Sequence, residues 1–230
     1  MTEKAYFYRR CRNLRSKYAL QQITYKGGDA VAVDGKYAMI GSTSKNGGKG
    51  EVTIYEYRAG SWNNITSVLC SDCSDFERIG DSMDLHGDRF VIGAYTYRAD
   101  SNLKGDLKGF VYVYQILCDG ELKLQQILNS STGSDFDQFG KSVSIDGEII
   151  GVGAPHTSDR EFQAGKVYSF TYDSAVSRWK DYEEFASSHP EVNDVEGSAV
   201  TVLSSKKVII SGSPGSSSTS SERVFIYEYS

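Results

Sequence analysis

Proline, methionine and histidine are scarce in this chain, with three of each among 230 residues. No apolar run approaches the ~20 residues that a helix needs to cross a bilayer, so membrane insertion by this segment is not expected. The first thirty residues are basic and polar and hold no apolar core of a secretory signal. No segment shows a helical apolar period. A Gly-x-Ser-x-Gly nucleophile elbow and a phosphate-cradling G-x-x-x-x-G-K-[ST] are both missing. The histidines, His86, His156 and His189, stand at no metal-ligand spacing from one another or from a cysteine. Of the four cysteines, Cys11, Cys70, Cys73 and Cys118, only Cys70 and Cys73 form a C-x-x-C. One such pair is half a zinc site. It reads as a small disulfide loop or as two free thiols, and no metal or other cofactor is expected.

What is plentiful points to β structure. Sixteen tyrosines favour pleated, half-buried surfaces, and 23 glycines favour tight turns. The net charge of −5 is unevenly spread. Residues 1–26 carry seven Lys or Arg (Lys4, Arg9, Arg10, Arg12, Arg15, Lys17, Lys26) against Glu3 alone. That cluster reads as a solvated hairpin tip, because the rest of the chain is acidic and repels phosphate. No nucleic-acid partner is expected. Two sequons, Asn64-Ile65-Thr66 and Asn129-Ser130-Ser131, are compatible with an extracellular or cell-surface location, with the cytoplasm as the alternative.

The chain repeats itself. Gly28, Gly80, Gly140 and Gly197 each precede an alternating strand: Ala30–Val33, Ser82–Leu85, Ser142–Ile145 and Ala199–Val202. Asp34-Gly35, His86-Gly87 and Asp146-Gly147 then suit a two-residue hairpin turn. In the fourth copy Ser204-Ser205-Lys206-Lys207 replaces it. A more apolar second strand follows, then a polar loop of variable length, then a third strand (Val52–Tyr55, Val111–Tyr114, Val167–Phe170, Val224–Tyr227). A fourth begins at Trp62, Leu122 and Trp179. At the N-terminus Ala5–Tyr8 matches a third strand and Tyr18–Ile23 a fourth, which sets Cys11 and Cys118 in equivalent hairpins of different units. Four-stranded units recurring every 40–60 residues predict an all-β propeller of antiparallel blades. Such blades must stack to hide both faces. The expected limits are 1–26 (partial), 27–72, 73–132, 133–188 and 189–230, forming one propeller domain or propeller fragment.

The third unit reads Asp135-Phe136-Asp137-Gln138-Phe139-Gly140, then Val152-Gly153-Ala154-Pro155, then Gly165-Lys166-Val167-Tyr168. The second reads Asp75-Phe76-Glu77-Arg78-Ile79-Gly80, then Gly93-Ala94-Tyr95. These segments resemble the FG-GAP repeat found in the heads of integrin α subunits. The resemblance runs over nearly the whole chain and implies a propeller, commonly of seven blades. It resembles the variety without calcium loops, since the turns between first and second strands hold at most one carboxylate where calcium needs several. The chain is then a fragment of a larger propeller, or one of two copies pooling blades into an eight-bladed ring.

The loops after the second strands are long and differ most between units, and loops on a rigid scaffold carry binding. Tyr95, Tyr97, Arg98 and His156 are the aromatic and cationic candidates there. Asp159 and Arg160 lie in the same loop as His156, where Asp159 and Glu161 could help it hold a cation. Gly80, Gly93, Gly140, Gly153, Asp75 and Asp135 read as structural marks of the repeat. The first-strand starts offer Asp29, Asp81, Lys141 and Ser198, a mixed set with no acid–base pair. The expected function is non-catalytic recognition of a protein or glycan on the face of these loops and linkers. A propeller-type hydrolase and an inert spacer are the alternatives.

Overall fold

The computed structural model describes residues 3–6, 22–25, 28–69, 78–95, 108–215 and 222–229. Strands β1 (Glu3–Tyr6) and β2 (Gln22–Tyr25) pair antiparallel, Glu3 opposite Tyr25. The expected N-terminal pairing is therefore present, and residues 7–8 and 18–21 of the expected strands lie outside the described residues. Three four-stranded meanders follow. The first blade is β3 (Ala30–Asp34), β4 (Tyr37–Ser42), β5 (Glu51–Arg58) and β6 (Ser61–Leu69). The second is β7 (Ser82–His86), β8 (Arg89–Ala94), β9 (Phe110–Ile116) and β10 (Leu122–Leu128). The third is β11 (Ser142–Asp146), β12 (Ile149–Ala154), β13 (Lys166–Asp173) and β14 (Arg178–Phe185). A fourth sheet has three strands, β15 (Ala199–Leu203), β16 (Val208–Ser213) and β17 (Arg223–Glu228). The described residues contain no α-helix, only two single 3₁₀ turns.

The sheets stack in chain order, with the first strands β3, β7, β11 and β15 as successive neighbours. Among the described residues this is an open run of propeller blades. Strands β4, β8 and β12 are buried almost throughout because each is covered on both faces. Met39, Val52 and Ile54 of the first blade pack on Leu85, Phe90 and Ile92 of the second. Val91, Val111 and Val113, on the second blade's other face, meet Val143, Ile150 and Tyr168 of the third. Ile149 and Val167 then meet Val202 and Ile209 of the fourth.

Close approach of the blades depends on glycine. A Cβ on Gly41, Gly93 or Gly153 would lie 2.1, 2.0 or 2.0 Å from the carbonyl oxygen of Gly80, Gly140 or Gly197 in the next blade. Hydroxyls reinforce two of these seams, Ser82 Oγ donating to Gly140 O at 2.6 Å and Ser142 Oγ to Gly197 O at 2.7 Å.

The tight turns differ from the sequence expectation by one residue. Asp34, His86 and Asp146 pair across the ladder with Tyr37, Arg89 and Ile149, so the two-residue loops are Gly35-Lys36, Gly87-Asp88 and Gly147-Glu148. Each loop has its glycine at positive φ (55°, 63° and 61°), which a residue with a Cβ rarely adopts. The freed carboxylates reach across to the next blade. Asp34 Oδ2 accepts from Gly87 N at 2.7 Å, and Asp146 Oδ2 accepts from Ser204 N and Oγ at 2.7 and 2.8 Å.

Candidate functional site

The linker into the third blade and the loop after its second strand enclose a cleft. Its volume is about 510 Å³, and Asp135, Phe136, Asp137, His156, Asp159, Phe162 and Lys166 are among its lining residues. The linker is held by its backbone. Phe136 and Gln138 have φ of 69° and 61°, and Phe139 N donates to Lys108 O at 2.9 Å. Phe139 is buried edge-on against Tyr168 and Phe170, with ring centres 5.3 and 6.2 Å away. That anchor fixes the residues before it. Asp137, 6 % exposed, accepts the Ser134 amide on Oδ2 at 2.8 Å, and its own carbonyl accepts His156 N at 3.1 Å. One aspartate therefore ties linker to loop.

The charges in the cleft are partly matched. Lys166, buried at the start of β13, reaches Asp159 at 2.5 Å and Glu184 at 2.7 Å. Burial opposes its charge, yet the hydrogen bonds to these two carboxylates hold its ammonium well above the ordinary lysine range. Burial pushes the Asp137 carboxyl up, with Asp159 adding to the effect, although the Ser134 amide and the Lys166 and Lys108 charges oppose it. Burial, helped by the nearby Lys141, lowers His156, so its imidazole is neutral at pH 7. Phe162 stands 61 % exposed at this cleft.

The linker into the fourth blade repeats the geometry. Asn193 and Val195 take the positive φ of Phe136 and Gln138, at 64° and 52°. Asp194 Oδ2 accepts Glu191 N at 2.6 Å, as Asp137 accepts Ser134 N, and Asp194 O accepts Gly215 N at 3.2 Å. The difference is in the cation. Arg223, the first residue of β17 and the counterpart of Lys166, places Nη2 2.5 and 2.6 Å from the two oxygens of Asp194. In the third blade the corresponding lysine turns instead to Asp159 and Glu184.

The sequence candidates fall in several places. His156 and Asp159 line the cleft. Asp159 is ion-paired to Lys166, and among the described residues no group of three His, Cys, Asp or Glu gathers as metal ligands would. Arg160 points to the next linker, Nη1 donating to Ser187 O at 2.6 Å. Tyr95 is buried, its hydroxyl accepting from Lys141 Nζ at 3.0 Å while that ammonium also meets Asp81 at 2.8 Å. Asp29 accepts the amide and hydroxyl of Thr43, both at 2.7 Å. Gly80, Gly93, Gly140 and Gly153 lie in the blade seams. Asp135 is exposed at the cleft, and the carboxylate two residues on, Asp137, accepts the corner amide. Tyr97, Arg98, Asp75, Cys11, Cys70 and Cys73 lie outside the described residues, and Cys118 is an exposed free thiol.

Sequence reasoning passed over Asp137, Phe162 and Lys166. Aligning the linkers on Gly140 and Gly197 would have found the first, since Asp137 and Asp194 then coincide. It would also have shown Glu196 standing where Phe139 and Ile79 stand. Residues 123–170, which run from the last strand of blade two into the third strand of blade three, match the family model described as FG-GAP repeat. No curated protein matches the chain.

Proposed function

We propose that this FG-GAP repeat protein is a recognition module rather than an enzyme, and that the third-blade cleft binds a basic side chain of a protein ligand. The observation that supports this reading is internal to the chain. Asp194 is neutralised by the Arg223 guanidinium, whose Nη2 meets both carboxylate oxygens, whereas its counterpart Asp137 lines a cleft and takes a backbone amide. A buried carboxylate gains most from a charge-assisted, geometrically matched donor. Phe136 and the exposed Phe162 offer apolar walls over which an arginine plane can stack. A glycan ligand is the second reading, favoured by the same aromatic walls.

Where the chain acts is part of the proposal. The sequon asparagines Asn64, on the outer strand β6, and Asn129, just past the outer strand β10, are both exposed, which supports an extracellular setting. Among the described residues no helix is long and apolar enough to cross a membrane.

Selection of a displayed random peptide library on the immobilised chain tests the reading. Enriched peptides should share an arginine or lysine and should lose binding to Asp137→Asn and Phe162→Ala. Enrichment without a basic residue, or retention by both variants, would contradict it. A glycan array positive with the wild type alone would move the reading to carbohydrate.

A further inference from the structure

Each blade has a face turned to the preceding blade and a face turned to the following one. The fourth blade's forward face is open. Val224 and Ile226 are 70 % and 67 % exposed, and Leu203, on the strand at the sheet's other edge, is exposed as well. By register, this face combines the apolar Leu203, Val208, Ile210, Val224 and Ile226 with Gly212, Thr201 and Glu228. In the third blade the counterparts of Val208, Gly212 and Val224 are Ile149, Gly153 and Val167, and all three are buried. Gly212 is the telling residue. Its equivalents Gly41, Gly93 and Gly153 have no room for a Cβ because the next blade's glycine carbonyl lies there. On Gly212 a Cβ would meet only its own blade's Ala199, at 3.5 Å or more. Among the described residues, the residue type that a blade-to-blade seam demands is present on a face that no following blade covers.

The opposite end of the stack is open in the complementary sense. Val31 and Val33 of β3 are 62 % and 59 % exposed. Their counterparts Met83 and Leu85, and Val143 and Ile145, are buried against the preceding blade. The middle of that face, Ala38, Ile40 and Tyr55, is already buried, so the opening is confined to the inner strand. One chain therefore presents the forward half of such a seam at one end and the inner-strand part of its other half at the opposite end.

We propose that the forward face of the fourth blade docks on the Val31–Val33 face of a second copy of this chain. The docking continues the established blade-to-blade interface across copies. Such a contact is heterologous, and two of them related by a twofold axis close a ring of eight sheets without leaving an end. Apolar side chains drive the contact, and the absent Cβ of Gly212 lets the two backbones meet.

Light scattering during size exclusion tests this with the full chain at micromolar concentration. The wild type should run at twice the chain mass. Gly212→Ala, harmless within one copy, should run as a folded monomer with an unchanged circular dichroism spectrum. Ile226→Lys and Val33→Glu, both at exposed positions, should each do the same. Mixing these two monomers should restore a dimer, because one of the two seams is then wild type on both sides. A monomeric wild type overturns the proposal and leaves the face to a blade outside this chain. A dimer lost in Ile226→Lys and kept in Val33→Glu overturns it in favour of a face-to-face contact. A dimer indifferent to all three substitutions also overturns it.

Discussion

Glu196 occupies the linker position that Ile79 and Phe139 fill in the two preceding blades. It is buried, accepting Ser187 N at 2.9 Å and the Tyr227 hydroxyl at 2.5 Å. Burial raises its carboxyl above the ordinary range, and Asp194 adds to this while the two donors and Arg223 oppose it. The sign follows from linkage: a raised folded value means the native state binds more protons, so its contribution weakens as pH rises through the folded value. Glu196→Gln keeps an acceptor for the Ser187 amide and turns its NH2 to the Tyr227 oxygen as a donor, without the charge. It should be more stable than wild type at pH 7, and the two should converge in acid. Urea unfolding across pH 3–8 checks this. The same reasoning applies to Asp137, whose raised carboxyl must ionise to hold a cation. Affinity for a basic peptide should fall on acidification at a higher pH than an ordinary aspartate would give, and Asp137→Asn should flatten that profile.

Individual roles of this kind were the least legible part of the sequence. His156 and Asp159 stand out in the sequence as loop residues of their types, and both line the cleft. Asp137 was hidden beside Asp135, and Tyr95 drew notice as a loop aromatic although its ring is buried under Lys141, 4.3 Å from the ammonium. Composition reports what a side chain can do, and only packing decides which way it faces.

At the scale of elements, the linkers and seams carry the stability. Phe139→Ala removes the ring that fixes the third-blade linker and should cost about 3–5 kcal/mol, with peptide binding weakened alongside because Asp137 is then unanchored. Gly153→Ala forces a methyl against the Gly197 carbonyl and the Ser142 hydroxyl, at 2.0 and 2.4 Å. It should destabilise by about 1–3 kcal/mol or more, read by denaturant melts. Strands were the most legible feature, since alternation and buried second strands follow directly from a sheet covered on both faces. The turns were legible in place and wrong in register by one residue. An Asp-Gly pair reads as a complete turn, but here the carboxylate closes the strand and serves the neighbouring blade.

For the molecule as a whole, the repeat spacing announced the architecture before any strand was placed. Gly80, Gly140 and Gly197, aligned in the sequence, are the residues whose carbonyls abut the preceding blade. What spacing could not reveal was that two homologous linkers would differ in how their aspartates are neutralised. That difference arises from Arg223 against Lys166, and from the presence of Asp159 and Glu184 beside the latter. It is the basis for reading the third blade as the recognising one.

The most direct test of that reading is calorimetric titration of the wild type with an arginine-bearing peptide from the selection and with its citrulline twin. The twin keeps shape and stacking and lacks the charge. The account predicts at least tenfold weaker binding of the citrulline peptide to the wild type, about 1.4 kcal/mol, and no such difference for Asp137→Asn. Equal affinity of the two peptides for the wild type would contradict it.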